Sequence, residues 1–61
     1  MANLTSKELS ALEDQLGFEQ LCACKYQTAA NETNETELKS SYEKYAAQHK
    51  QNFTTLLNYL K

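Results

Sequence analysis

No valine, isoleucine, proline or tryptophan occurs in this 61-residue chain, and glycine occurs once, at Gly17. A β-sheet builds its pleated face largely from β-branched and aromatic side chains, and hairpins are punctuated by Gly and Pro. Both are scarce here, while Leu, Ala, Glu, Lys and Gln, all good helix formers, dominate. The expected fold class is all-α. At this length the chain forms one small domain at most and buries only about 60% of the surface that its unfolded form exposes.

Six lysines, no arginine and eight acidic residues leave a net charge of −2 at pH 7. Such a chain lacks the basic stripe that neutralises phosphates, so no nucleic-acid partner is expected. Its apolar runs are only a few residues long, against about 20 for a membrane span, and no charged, apolar and small-residue zones of a signal peptide open it. The expectation is a soluble protein with no membrane partner, acting where it is made. Two cysteines, Cys22 and Cys24, are too few for a secreted disulfide scaffold. Without a secretory route, the Asn-x-Thr triplets beginning at Asn3, Asn31, Asn34 and Asn52 read as polar helix ends and faces rather than glycosylation sites.

Thr5 followed by Glu8 has the spacing of a capping box, which predicts a first helix over about 6–30. Its apolar stripe runs through Leu9, Leu12, Leu16, Ala23, Tyr26 and Ala30, with Glu19 filling the position between Leu16 and Ala23. The doubled Asn-Glu-Thr unit that follows has no apolar residue and predicts a turn over 31–34, with Asn34 as the next N-cap and Glu37 as its N3 acid. A second helix is predicted over about 35–60, with Lys61 at its end. Its stripe is Leu38, Tyr42, Tyr45, Ala46, Phe53, Leu56, Leu57 and Leu60, centred on His49.

Two such helices make an antiparallel hairpin, and a lone hairpin leaves the flanks of both stripes wet. On helix 1, Leu4, Ala11, Phe18, Cys22 and Ala29 form a further apolar flank about 80–120° from the main stripe. An exposed flank of this kind marks an association surface. The expectation is a homodimer whose interface uses those five residues, giving a two-fold four-helix bundle.

Glu19 and His49 are polar residues set into apolar stripes at similar heights of the hairpin. A buried carboxylate is costly unless it is partnered, which leaves two readings. One is a metal site of the ferritin-like kind, built in a dimer. Such sites take a Glu-x-x-His pair, and here Ala46 stands three before His49, so half the bridging carboxylates are missing. The other, and the favoured one, is a Glu–His hydrogen bond that fixes helix register, with no cofactor. His49 also admits a pH switch, against a satisfied core histidine, which is preferred. Cys22 and Cys24 point about 200° apart on a helix, so they either remain free thiols or cross-link to another chain. No nucleophile has a base at catalytic spacing and no Gly-rich phosphate loop is present; the expectation is that the chain is not an enzyme and has no catalytic residue.

The run Leu9-Ser10-Ala11-Leu12-Glu13-Asp14-Gln15-Leu16, with Glu19-Gln20-Leu21 and Lys25-Tyr26, resembles the opening of the small coat F family of spore coat proteins from endospore-forming Firmicutes. Gln48-His49-Lys50-Gln51-Asn52-Phe53 with Leu56, Leu57 and Leu60 is similar to that family's second helix. The resemblance implies a ferritin-like helical hairpin with Glu19 and His49 as its polar core pair. It also implies a structural role in the spore coat, synthesis in the cytoplasm of the sporulating cell, deposition in the coat and other coat proteins as partners. Asn52 stands where a second histidine is expected, and Cys22 and Cys24 stand in place of aliphatics. These departures weaken a metal site and leave thiols available for cross-linking. The alternatives to a coat subunit are a metal-binding module using Glu19 and His49, and a small adaptor for a partner helix.

Overall fold

The computed structural model describes residues 4–60, so the triplet beginning at Asn3 and the terminal Lys61 lie outside the described residues. Two helices account for nearly all of it: α1 over Ser6–Glu32 and α2 over Thr36–Leu57, followed by a 3-10 turn over Asn58–Leu60. No strand is found among the described residues. Among them also, no helix is long and apolar enough to cross a membrane.

The start of α1 follows from its sequence. Thr5 is extended (φ −71°, ψ 163°), its hydroxyl accepts from the Glu8 N–H at 3.1 Å, and the Glu8 carboxylate accepts from the Thr5 N–H at 3.0 Å. Two of the donors that a helix leaves unsatisfied at its first turn are thereby met. These bonds hold the Glu8 carboxyl below its ordinary range, the backbone N–H of Thr5 contributing most and its hydroxyl next.

The reversal between the helices is tighter than 31–34 and is capped differently. α1 continues to Glu32, and Thr33 closes it by donating its N–H to the Ala29 carbonyl at 3.1 Å. The N-cap of α2 is Glu35, not Asn34, and makes no side-chain capping bond. Instead the Thr33 hydroxyl accepts the Glu35 N–H at 3.2 Å, and the Glu35 carbonyl accepts the Lys39 N–H at 2.9 Å. Thr33 is extended (ψ 144°), which sets its hydroxyl two residues ahead, where Ser and Thr compete for free backbone donors. At the far end, α2 stops at Leu57, three residues short of Leu60.

Residue pairs across the hairpin have nearly constant sums, as antiparallel helices require: Glu19 meets His49 and Asn52, and Tyr26 meets Tyr42 and Tyr45. The buried line between them is narrow and mostly small: Leu16, Ala23, Ala30 and Ala46, with Glu19 as the buried polar residue. Leu12, Tyr26, Tyr42, Phe53 and Leu56 are half-buried. The remaining stripe residues Leu9, Leu38, Tyr45, Leu57 and Leu60 are exposed. Two cylinders touch along one line, so only residues on that line are covered, and the full width of each predicted stripe is not. The hairpin measures 46 × 15 × 11 Å with a radius of gyration of 14.3 Å. A compact chain of this length has a radius nearer 11 Å, roughly.

Candidate functional site

Halfway along the hairpin, α1 buries Glu19 against α2. Glu19 lies one turn after Gln15 on α1, and His49 and Asn52 lie three residues apart on α2, so all four side chains converge at one height. Glu19 Oε1 accepts from His49 Nδ1 at 2.5 Å and from Asn52 Nδ2 at 3.2 Å, while Oε2 accepts from Gln15 Nε2 at 2.7 Å. An ionised carboxylate only accepts, so the proton of the His49 bond belongs to Nδ1. The His49 bond is the main reason the Glu19 carboxyl lies below its ordinary range. Burial opposes this, and Gln15, Asn52 and the charge of His49 add smaller contributions in the lowering direction. The side chain of Glu19 is 8% exposed and that of His49 23%.

An aromatic cluster continues this polar group toward the turn. The Tyr26 ring lies nearly parallel to the His49 imidazole, 5° between planes and 5.6 Å between centroids, and packs tilted against Tyr42 and Tyr45 at 6.0 and 5.2 Å. Tyr26 therefore fixes one face of the ring whose Nδ1 is fixed by Glu19.

The geometry brings Glu19 and His49 together as expected from their positions, but as partners of each other rather than as two ligands around a vacancy. Both carboxylate oxygens are already occupied by donors of the same chain. No group of three or more His, Cys, Asp or Glu side chains able to hold a metal ion is present among the described residues. Within one chain the donor set is that of a hydrogen-bonded group, and a metal taken up at Glu19 would first have to displace His49, Asn52 or Gln15. Gln15 and Asn52 complete the shell and were not foreseen in that role. Each is an amide one turn from Glu19 or from His49 on the same side of its helix, a position that sequence alone does not distinguish from a solvated one.

The other candidate residues divide between the two sides of the hairpin. Cys22 is half-buried, Cys24 exposed, and both are free thiols. Of the expected interface residues, Leu4, Cys22 and Ala29 are half-buried, Ala11 is exposed, and Phe18 is 53% exposed. On the opposite side, Ala23, Cys24, Gln27, Lys50 and Phe53 line an open groove of about 510 Å³. No protein-family model, curated protein or solved structure matches this chain.

Proposed function

We propose that this chain is a non-enzymatic structural subunit of the spore coat, a helical hairpin that works by self-association. The observation that carries the reading is the mismatch between core and surface. The buried apolar line is three alanines and one leucine, whereas Leu9, Phe18, Leu21, Leu38, Tyr45, Leu57, Tyr59 and Leu60 are all exposed. Exposed apolar surface on this scale marks an interaction site. A hairpin with eight large apolar side chains exposed is suited to be a part of something larger, and the oxygens of its buried Glu19 are bonded within the chain.

The coat assignment draws on the resemblance of residues 9–26 and 48–60 to small coat F proteins. In it, the hairpins pair into a ferritin-like four-helix bundle, and Cys24 and the polar faces supply lateral contacts to other coat proteins. Mass spectrometry of coat extracts from purified spores of the source organism tests the location; a chain found only in vegetative cells refutes it. Sedimentation tests the assembly: a folded monomer at tens of micromolar refutes self-association, and an isolated chain that is largely unfolded points instead to an adaptor awaiting a partner helix.

A further inference from the structure

We infer that the side of the hairpin bearing Phe18, Cys22, Tyr45 and Tyr59 docks a second copy of the chain, with α1 of each copy lying on α2 of the other and both turns at the same end. The inference rests on the self-association proposed above and adds to it a face and an orientation.

Charge picks out the face. The chain carries fourteen ionisable Lys, Asp and Glu side chains. Yet the positions spaced alternately by three and four from Leu38 through Tyr45 and Asn52 of α2 to Tyr59 of the 3-10 turn include none of them. The matching line on α1, through Ala11, Gln15, Phe18 and Cys22, is uncharged between Glu8 and Lys25. Alternate spacings of three and four are the geometry by which one helix lies along another. These two lines flank the same side of the hairpin, because Gln15, Glu19, Asn52 and Thr55 line one shallow cleft there and Thr55 and Tyr59 share the next. Phe18, Tyr45 and Tyr59 stand 53%, 49% and 54% exposed along it. Glu19, the buried acid beneath this side, is already satisfied by Gln15, Asn52 and His49.

The area agrees with a second copy. A compact folded chain of 7.0 kDa exposes about 4,000 Å². This one exposes 4787 Å². The surplus is close to the roughly 800 Å² that each partner buries in a standard interface.

Shape sets the orientation. Asn52 lies at the height of Phe18 and Glu19, and a helix rises about 1.5 Å per residue. Tyr45 is therefore about 10 Å toward the turn from that height, and Tyr59 about 10 Å away from it. With both turns at the same end, α2 of the partner and the 3-10 turn that follows it set Tyr59 over Ala11, Asn52 over Phe18, and Tyr45 over the stretch between Cys22 and Ala29. Large meets small at the first two levels, and at the third the Tyr45 ring meets Lys25, whose aliphatic stem can lie along it. With turns at opposite ends, α1 lies on α1 and α2 on α2, so that Phe18 meets Phe18 and Tyr45 meets Tyr59, large on large. The docked arrangement also covers Cys22 and leaves Cys24, on the opposite groove, in solvent.

The test uses the full chain with Cys22→Ala, Cys24→Ser and Asn34→Cys, a nitroxide on the new thiol, and a pulsed dipolar distance measurement beside sedimentation. A dimer with an inter-label distance under about 25 Å is expected, since bundle helices lie 8–10 Å apart and the label adds its own reach. A dimer with labels about 45 Å apart, the length of the hairpin, overturns the orientation while leaving self-association standing. A monomer overturns both. In the otherwise unaltered chain, Phe18→Lys is expected to shift the sedimenting species from dimer to monomer, and Gln27→Lys on the opposite groove to leave the dimer intact. The reverse pattern, or a dimer in both, overturns the face.

Discussion

Replacing Gly17 by alanine isolates the contribution of one backbone position and, at the same time, probes which side of α1 is free. Gly17 lies in the interior of α1, and its φ is not positive. A Cβ built there meets nothing within 4 Å, so the substitution carries no steric term within the hairpin. What remains is the entropy that glycine loses on entering a helix, about 0.8–1 kcal/mol relative to alanine. In a domain of this size about 1 kcal/mol raises the melting temperature by roughly 4–8 °C. Far-ultraviolet circular dichroism melts at matched protein concentration read the shift, and urea unfolding should show a higher midpoint with an unchanged slope. Around the helix, Gly17 lies about 120° from the line of Ala11, Phe18 and Cys22, on the outer side. A partner docked at Phe18 therefore leaves the gain intact. A lowered melting temperature would mean that another helix lies close against Gly17, and would refute the assignment of the docking face.

Thr5→Ala removes one half of the capping box and is expected to destabilise the protein by about 1 kcal/mol, with faster amide exchange confined to the first turn of α1; no change in either would show that the cap is idle. Folding lowers the pKa of both Glu8 and Glu19 from an ordinary value of 4.5, so the stability they contribute is complete above that value and is lost as pH falls below it toward their folded pKa values. The urea midpoint should accordingly drop between pH 6 and pH 3, and the drop should shrink in the Glu8→Gln, Glu19→Gln double variant; an equal drop in both proteins would refute the attribution. In a double-mutant cycle, His49→Leu alone should destabilise the chain because it takes from the buried Glu19 its shortest bond, and adding Glu19→Leu should restore part of the loss. Strict additivity of the two changes would show that the residues do not act as a pair.

Much of this architecture was legible in the residues because its causes are local. The absence of β-branched aliphatics excluded sheets, and Thr5 with Glu8 marked a helix start that depends only on residues three apart. The second cap falls at Glu35 rather than Asn34 because Thr33, also a capping type, takes the Glu35 N–H and the chain reverses more sharply than an Asn34 cap requires. The extended conformation of Thr33 gives its hydroxyl the reach, and Asn34 is left without that role. Burial is narrower than the stripes for a different reason. Periodicity names the side of a helix that faces inward, but the covered width depends on how many neighbours there are, and one neighbour covers Leu16, Ala23 and Ala30 while leaving Leu9 exposed. The roles of Gln15 and Asn52 are not legible in sequence, because an amide on the flank of a stripe has the same signature whether it meets water or a buried carboxylate.

The Glu19 shell also answers a difficulty that the alanines create. Ala23, Ala30 and Ala46 let the helices approach closely, but alanine offers little shape to resist sliding, and a shift of one turn would exchange one small contact for another. Glu19 does not tolerate that shift. Moving α2 by four residues in either direction replaces His49 with Tyr45 or Phe53 at the carboxylate, leaving a buried charge without its principal donor. The stacked Tyr26 ring would lose its imidazole in the same step. One polar group therefore sets the register that the apolar line leaves undetermined, in the way that a single buried polar residue sets register in coiled coils. That register also fixes the heights of Tyr45, Asn52 and Tyr59 against Ala11, Phe18 and Cys22, on which the proposed docking of two copies depends. A slip inside the hairpin should then be read out as lost self-association, and Glu19→Leu with His49→Leu, even where it keeps the helices folded, should weaken the dimer.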